Sequence, residues 1–225
     1  MNAERPPGFL EFLQETVGRG RMTNDDLLAA VLPLMRQVLE IHQQGLVAPL
    51  DGVDDINVQN GKLWFERGKT TEPEVQMDAV RRLQGDAGEG AVCVVADHRV
   101  DRDIDDGSAE YAPPNVQRTT ETIEKLVYVP YYTSWEFAIG HHDQLTDIFA
   151  LGLLSASLAF GLDFTECEDL ETFVCSRGNL FHLNPDLHPV IASVLLSMTE
   201  LNRHRRAQDL ASAVSCLESY RDQPT

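Results

Sequence analysis

The sequence predicts a mostly helical protein of the α+β class, with a small β element and one long irregular insertion. Residues 145–164 are apolar on nearly every face for about five helical turns, which is typical of a helix buried on all sides. Residues 45–65 contain three short β-type pieces, and residues 68–124 show no sustained periodicity. We therefore expect one domain over residues 1–225, wrapped around the 145–164 helix, with 68–124 as the insertion and 221–225 as a tail or linker.

The central stretch is long enough to cross a bilayer, but its composition favours a protein core. Asp147 lies inside it, and Ala, Gly and Ser residues dilute its hydrophobicity. We therefore expect no membrane contact, and the N-terminus lacks the apolar segment of a signal peptide.

Charge and cysteine content limit the classes of function. The 225 residues contain 18 Lys and Arg against 36 Asp and Glu, a formal net charge of −18. Such a surface repels phosphate backbones, which argues against direct contact with nucleic acid. The four cysteines are far apart without a CxxC pair, which is typical of reduced thiols in a cytoplasmic protein.

The N-terminal third shows two helices. Residues 9–13 begin a short amphipathic helix that glycines close, and Thr23 then starts a second helix with Asp25 and Asp26 in its first turn. Apolar residues recur at helical spacing over 27–42.

Further elements follow in order. The β-type pieces are residues 45–49, 56–58 and 62–65, with Asn60-Gly61 as a tight hairpin turn. A short helix over 75–83, a strand over 91–96, and helices over 168–175, 189–199 and 207–220 complete the prediction.

Four segments in order carry a resemblance to a known family. They are IHQQGLV at 41–47, PYYTSWE at 130–136, TDIFALG at 146–152 and NRHRRAQDL at 202–210. Together they resemble the C-terminal lobe of a protein kinase, in turn the end of the helix before the catalytic loop, the end of the activation segment, the start of the central helix and the arginine-bearing turn. The resemblance implies a kinase C-lobe-like helical domain, and nothing before the first helix looks like an N-lobe.

The departures from the family concern its catalytic positions. Leu50 falls where the resemblance places the catalytic Asp, and Asp55 falls where the family has a magnesium-binding Asn. Phe65-Glu66-Arg67 stands in place of the metal-binding Asp-Phe-Gly. We therefore expect a pseudokinase-like module that is not an enzyme, with no catalytic residue, cofactor or metal.

The resemblance also implies a structural set. Asp147 is expected to bond backbone amides of residues 48–50, and Glu136 is expected to pair with Arg205, with Arg206 as the neighbouring candidate. The plainer alternatives are that Asp147 only caps its helix and that Glu136 is solvated.

Several polar residues allow two interpretations. His141-His142-Asp143 could ligate a metal, but three adjacent residues cannot all face one ion, so a loop and helix cap are favoured. His42 lies on an apolar helix face, which favours a hydrogen-bonded core histidine.

Asp51, Asp54, Asp55 and Glu66 could form a magnesium site or a solvated acidic loop, and the loop is favoured. The magnesium reading supports one alternative function, an atypical metal- and nucleotide-dependent transferase.

The preferred function is a docking or regulatory module that holds other protein segments. Residues 179–185 and 198–201 also look like kinase-like regions at the front of large bacterial helicase or nuclease-type proteins, some of them associated with defence. This resemblance implies an N-terminal regulatory part of a helicase-type defence protein. A third reading is an assembly subunit that a partner protein completes.

A partner surface follows from the missing N-lobe. Phe9, Phe12, Leu50 and Trp64, together with Val47, Val53 and Leu63, are expected to form one exposed apolar patch. We expect a protein partner or a homodimer there, with Trp64 as the main contact.

Overall fold

A computed structural model describes residues 8–85 and 126–223. These residues form eight α-helices and one antiparallel two-stranded sheet. The helices are α1 (Phe9–Arg19), α2 (Asn24–Gln43), α3 (Met77–Gly85), α4 (Trp135–Ala138), α5 (Gln144–Phe160), α6 (Cys167–Ser176), α7 (Pro189–Met198) and α8 (Leu210–Glu218). The strands are β1 (Ile56–Gln59) and β2 (Lys62–Phe65). The predicted mostly helical α+β class is confirmed.

Helix α5 is the buried centre of the fold, as the apolar sequence predicted. It begins at the N-cap Asp143, whose carboxylate accepts hydrogen bonds from the backbone N–H groups of Leu145 and Thr146. Every residue from Thr146 to Phe160 is buried. The helix ends earlier than predicted because Gly161 takes a left-handed conformation, with φ of 68°.

Helix α5 is enclosed by two layers of helices. Helices α2 and α7 pack directly on it, and α8 packs on both α2 and α7. Gly152 permits the α5–α7 approach, since a β-carbon there would lie 2.8 Å from the Met198 Cβ. Among the described residues, no helix is long and apolar enough to cross a membrane.

The first two helices start and stop where the sequence indicates. Gly20 closes α1, and the Thr23 hydroxyl caps α2 by accepting from the Asp26 N–H. Helix α2 also supports the sheet, because the side-chain amide of Gln37 bonds both the N–H and the C=O of Phe65.

The predicted hairpin is confirmed. Strands β1 and β2 pair Ile56 with Phe65 and Gln59 with Lys62. Asn60 and Gly61 have φ of 53° and 72°, as a two-residue turn between twisted strands requires. The third predicted β piece, residues 45–49, forms only an isolated bridge.

The expected exposed apolar patch is wrong. Phe9 and Leu50 are buried, Phe12 is partly buried, and Trp64 alone of the four is exposed, at 38%. Helix α1 causes the difference, because it folds back on β1 and places the Phe9 ring 5.2 Å from the ring of Tyr132. The chain therefore covers most of this face itself.

Part of the predicted insertion crosses the molecule as an extended segment, residues 71–76, which we call the strap. Thr71 exchanges two backbone hydrogen bonds with Val47, and Glu74 exchanges two with His142. Helix α3 follows the strap and agrees with the helix predicted over 75–83. The predicted strand at 91–96 lies outside the described residues.

Candidate functional site

Two buried carboxylates lie close to the start of α5, and the first is Asp147. Its side chain has no solvent exposure. Its Oδ2 accepts from the Ala48 backbone N–H at 2.8 Å and lies 2.8 Å from the His42 Nε2. Its Oδ1 lies 2.8 Å from the His142 Nε2. We call Asp147, His42, His142 and the Ala48 N–H the histidine centre.

The histidine centre joins three parts of the chain. His42 comes from the end of α2, Ala48 from the loop after it, and His142 from the turn before α5. Asp147 therefore holds the loop through a backbone amide and does more than cap its own helix, a role that Asp143 fills. His42 is a buried, hydrogen-bonded histidine, which is the interpretation that the sequence favoured.

The second carboxylate is Glu136 in α4, which is also fully buried. Its Oε1 lies 2.6 Å from the Arg206 guanidinium and 3.1 Å from that of Arg203. The expected pairing with Arg205 is wrong, because the Arg205 side chain is exposed. The turn at 201–206 points Arg203 and Arg206 inward and leaves the residues between them outside.

Arg206 is held on every side. Its guanidinium donates to the backbone carbonyls of Glu200, Leu145 and Leu201, at 2.8, 3.0 and 3.2 Å. The same group lies 4.6 Å from the centre of the Phe149 ring, within range of a cation–π interaction. These contacts compensate for the loss of hydration of a buried charge.

Asp143 extends the Glu136 site. Its Oδ2 accepts from Arg203 at 2.5 Å and lies 3.2 Å from the His141 Nε2. Burial alone would raise the pKa of the Asp143 carboxyl, but the His141 hydrogen bond and the Arg203 charge outweigh it and hold the pKa well below its ordinary value. We call Glu136, Asp143, Arg203 and Arg206 the arginine centre.

The positions that the kinase resemblance makes catalytic carry no matching chemistry. Leu50 is buried, so an apolar side chain occupies the position of the family's Asp. Asp55 forms an ion pair with Lys69, which also lies 3.8 Å from Glu66.

The possible magnesium cluster is not assembled. Asp51, Asp54 and Glu66 are exposed. Within residues 8–85 and 126–223, no three His, Cys, Asp or Glu side chains lie close enough together to hold a metal ion. This finding also applies to His141-His142-Asp143, which forms the favoured turn and helix cap.

A cavity of about 210 Å³ lies between the strap and α4. Pro49, Phe137 and His141 form part of its lining, together with the strap carboxylates Glu72 and Glu74. Both carboxylates are exposed. The cavity thus has an aromatic and imidazole lining with negative charge at the strap.

The sequence of the chain matches no family model and no curated protein. The fold and the two centres therefore define its class: a mostly helical protein with a small hairpin, ordered by two buried carboxylates.

Sequence reasoning did not assign the partners of three participants, Arg203, His141 and His142. The basic run at 203–206 was the signal for Arg203. The two histidines were expected only in a loop and helix cap, because their partners Gln76 and Asp147 become neighbours only in the fold.

Proposed function

We propose that this protein is a catalytically inactive, protein kinase C-lobe-like regulatory module of the cytoplasm. The observation that carries the proposal is the loop at residues 48–50. Asp147 holds its backbone at Ala48, as in the expected kinase-like arrangement, while Leu50 buries an apolar side chain where the family has its catalytic Asp.

Phosphoryl transfer depends on positioned groups that neutralise charge and orient the attacking hydroxyl. A buried leucine can do neither, and Asp55 is engaged by Lys69. In the proposed module, the scaffold of the resembled lobe is retained without its chemistry.

The ion pairs of α4 also support the kinase-like reading. The resemblance expects Glu136 to fix the end of the activation-like segment to an arginine of the late turn. Glu136 does bind that turn, through Arg206 and Arg203. The shift of one residue from the expected arginine keeps the same two segments joined.

The proposed work of the module is to hold another protein segment. Trp64 remains exposed on the outer face of β2, and Tyr131 is 61% exposed with φ of 72°. Exposed aromatic side chains are frequent hot spots of interfaces. The association with a helicase-type defence protein stays a prediction from the weaker resemblance.

Nucleotide binding tests the inactive reading. A ligand at about 100 times its Kd adds about 2.7 kcal/mol of apparent stability. We expect the thermal melt to be unchanged by millimolar ATP with Mg²⁺. A clear shift that disappears in Asp55→Asn would contradict the proposal and support the metal-dependent transferase.

Light scattering tests the interaction surface. Trp64→Glu should abolish any self-association while the circular dichroism spectrum and melting temperature stay close to those of the parent. Phe181→Glu is the matched control, because Phe181 is exposed to almost the same degree, at 39%. Equal effects of both changes, or none from Trp64→Glu on a dimer, would contradict the assignment of this surface.

A further inference from the structure

His141 is a fully buried histidine whose two ring nitrogens have different partners. The backbone N–H of Gln76 donates to Nδ1 at 2.8 Å. Nε2 lies 3.2 Å from the Asp143 carboxylate. Because a backbone N–H only donates, Nδ1 must hold a lone pair, and the ring proton must be on Nε2, where it can be donated to Asp143. The hydrogen bonds therefore require the neutral ring.

A second proton on this ring has only one place to bind. It would occupy Nδ1 and face the Gln76 N–H, so the hydrogen bond would become a contact between two donors. The ring has no exposure, so water cannot replace the lost bond without movement. Uptake of a proton and the Gln76 contact are mutually exclusive.

The surrounding charges already balance without a proton on His141. Asp143 and Glu136 supply two negative charges, and Arg203 and Arg206 supply two positive ones. The backbone N–H of His141 donates to the backbone carbonyl of Glu136 at 3.0 Å, which fixes the imidazole beside these four charged side chains. A charged imidazole would add an uncompensated positive charge to the arginine centre.

Other titratable groups face the same place. Glu72 and Glu74 line the cavity with His141, and both are exposed to water, which weakens their effect. His142 also lines the cavity, and its Nε2 lies 2.8 Å from the Asp147 Oδ1. Asp143 is the one carboxylate in hydrogen-bond contact with the ring, and Arg203 occupies the same oxygen.

The Gln76 contact determines where the strap ends. Gln76 follows the Glu74–His142 bridge, and its carbonyl accepts from the Val80 N–H, so it also starts α3. We propose that His141 is a pH-sensitive latch that holds the Gln76 end of the strap and the start of α3 while its ring is neutral and releases them when the ring is protonated. It does not depend on the kinase-like assignment.

Two NMR measurements on the whole chain test the latch. Ring-nitrogen spectra at about pH 7.5 should show His141 with a bare Nδ1 and a protonated Nε2. At the same pH, amide hydrogen exchange, corrected for its intrinsic pH dependence, should show the Gln76 amide protected. At the lower pH where the ring-nitrogen spectra report a second proton on His141, the protection of the Gln76 amide should fall about tenfold or more, while amides of α5 keep theirs.

Three variants separate the latch from general acid sensitivity. An asparagine at position 141 places an amide oxygen close to the position of Nδ1 and cannot be protonated, so His141→Asn should keep the Gln76 amide protected at both pH values. His182→Asn, a change at an exposed histidine, should behave like the parent. Gln76→Pro replaces the N–H donor by a ring carbon that cannot approach Nδ1 to 2.8 Å, so it should displace this end of the strap at both pH values and keep the fold.

The proposal is overturned if His141 carries its proton on Nδ1 at neutral pH. It is also overturned if the ring stays neutral down to about pH 5, or if the ring titrates while the Gln76 amide keeps its protection. Should His141→Asn fail to fold, Gln76→Pro together with the parent titration still decides the question.

Discussion

The arginine centre and the histidine centre solve the same physical problem in different ways. Each removes a carboxylate from water close to the start of α5, Glu136 in one and Asp147 in the other. Glu136 is neutralised by guanidinium groups, which stay charged at any physiological pH. Asp147 is held by two imidazoles and a backbone N–H. The first joins distant segments through cations that keep their charge, whereas the second joins them through imidazoles and a backbone amide.

The two centres also join different parts of the chain. The arginine centre joins α4 to the turn at 201–206, and both of these segments belong to the structural scaffold. The histidine centre ties α5 to Ala48, close in the chain to Leu50, which the kinase resemblance places at the family's catalytic Asp. A change in the first should therefore act on global stability, and a change in the second should act more on the loop.

The largest effect is expected from removing a cation of the arginine centre. Arg206→Ala leaves the buried Glu136 with Arg203 alone and should lower the free energy of unfolding by about 3–5 kcal/mol. Urea denaturation measures the change. Arg205→Ala is the matched control and should stay within about 0.5 kcal/mol, because that side chain is exposed. Equal effects of the two changes would contradict the assignment of the pair.

A smaller effect is expected at the histidine centre. Asp147→Ala leaves the Ala48 N–H and two imidazoles without their acceptor in the interior and should cost about 1–3 kcal/mol. Asp209→Ala is the comparison, because Asp209 caps α8 on the surface and its loss should cost about 1 kcal/mol. If Asp147→Ala melts like the parent, the loop is not held by this carboxylate.

Asp143 should give the arginine centre a limited dependence on pH. Its folded pKa lies below the ordinary 3.8, so the stability that it contributes is present above that value and is lost as the pH falls below it. Asp143→Asn should flatten the loss of unfolding free energy between about pH 5 and pH 3. An equally steep loss in the variant would place the acid-sensitive group elsewhere.

The smallest effect is expected from an ion pair at the surface. Arg36 and Glu218 approach to 2.7 Å between α2 and α8, with side chains 56% and 41% exposed. Arg36→Ala should cost no more than about 1 kcal/mol, and added salt should reduce even that. A cost approaching that of Arg206→Ala would show that burial is not what distinguishes the arginine centre.

The local features of the fold could be predicted from sequence because their causes are local. Asn60-Gly61 supplies the left-handed residues of the hairpin turn, and Thr23 supplies the cap of α2. The apolar stretch that became α5 needs no partner to be recognised as buried. For Asp147, the kinase resemblance supplied the loop at residues 48–50 as its partner.

The errors have long-range causes. Arg205 and Arg206 differ only in which side of a turn they occupy, and periodicity does not apply to a turn. Phe9 is buried because α1 folds back on the hairpin, which depends on contacts between separate elements. The Gln76–His141 bond joins residues 65 positions apart, so no sequence pattern indicates it.

The Ala48 amide gives the most direct test of the claim that the buried Asp147 carboxylate holds the loop at residues 48–50. Its hydrogen exchange should be strongly protected in the parent, because Asp147 accepts from it at 2.8 Å. In Asp147→Ala the protection should fall about tenfold or more, while amides in the middle of α5 lose only what the global stability loses. A protected Ala48 amide in the variant would contradict the account.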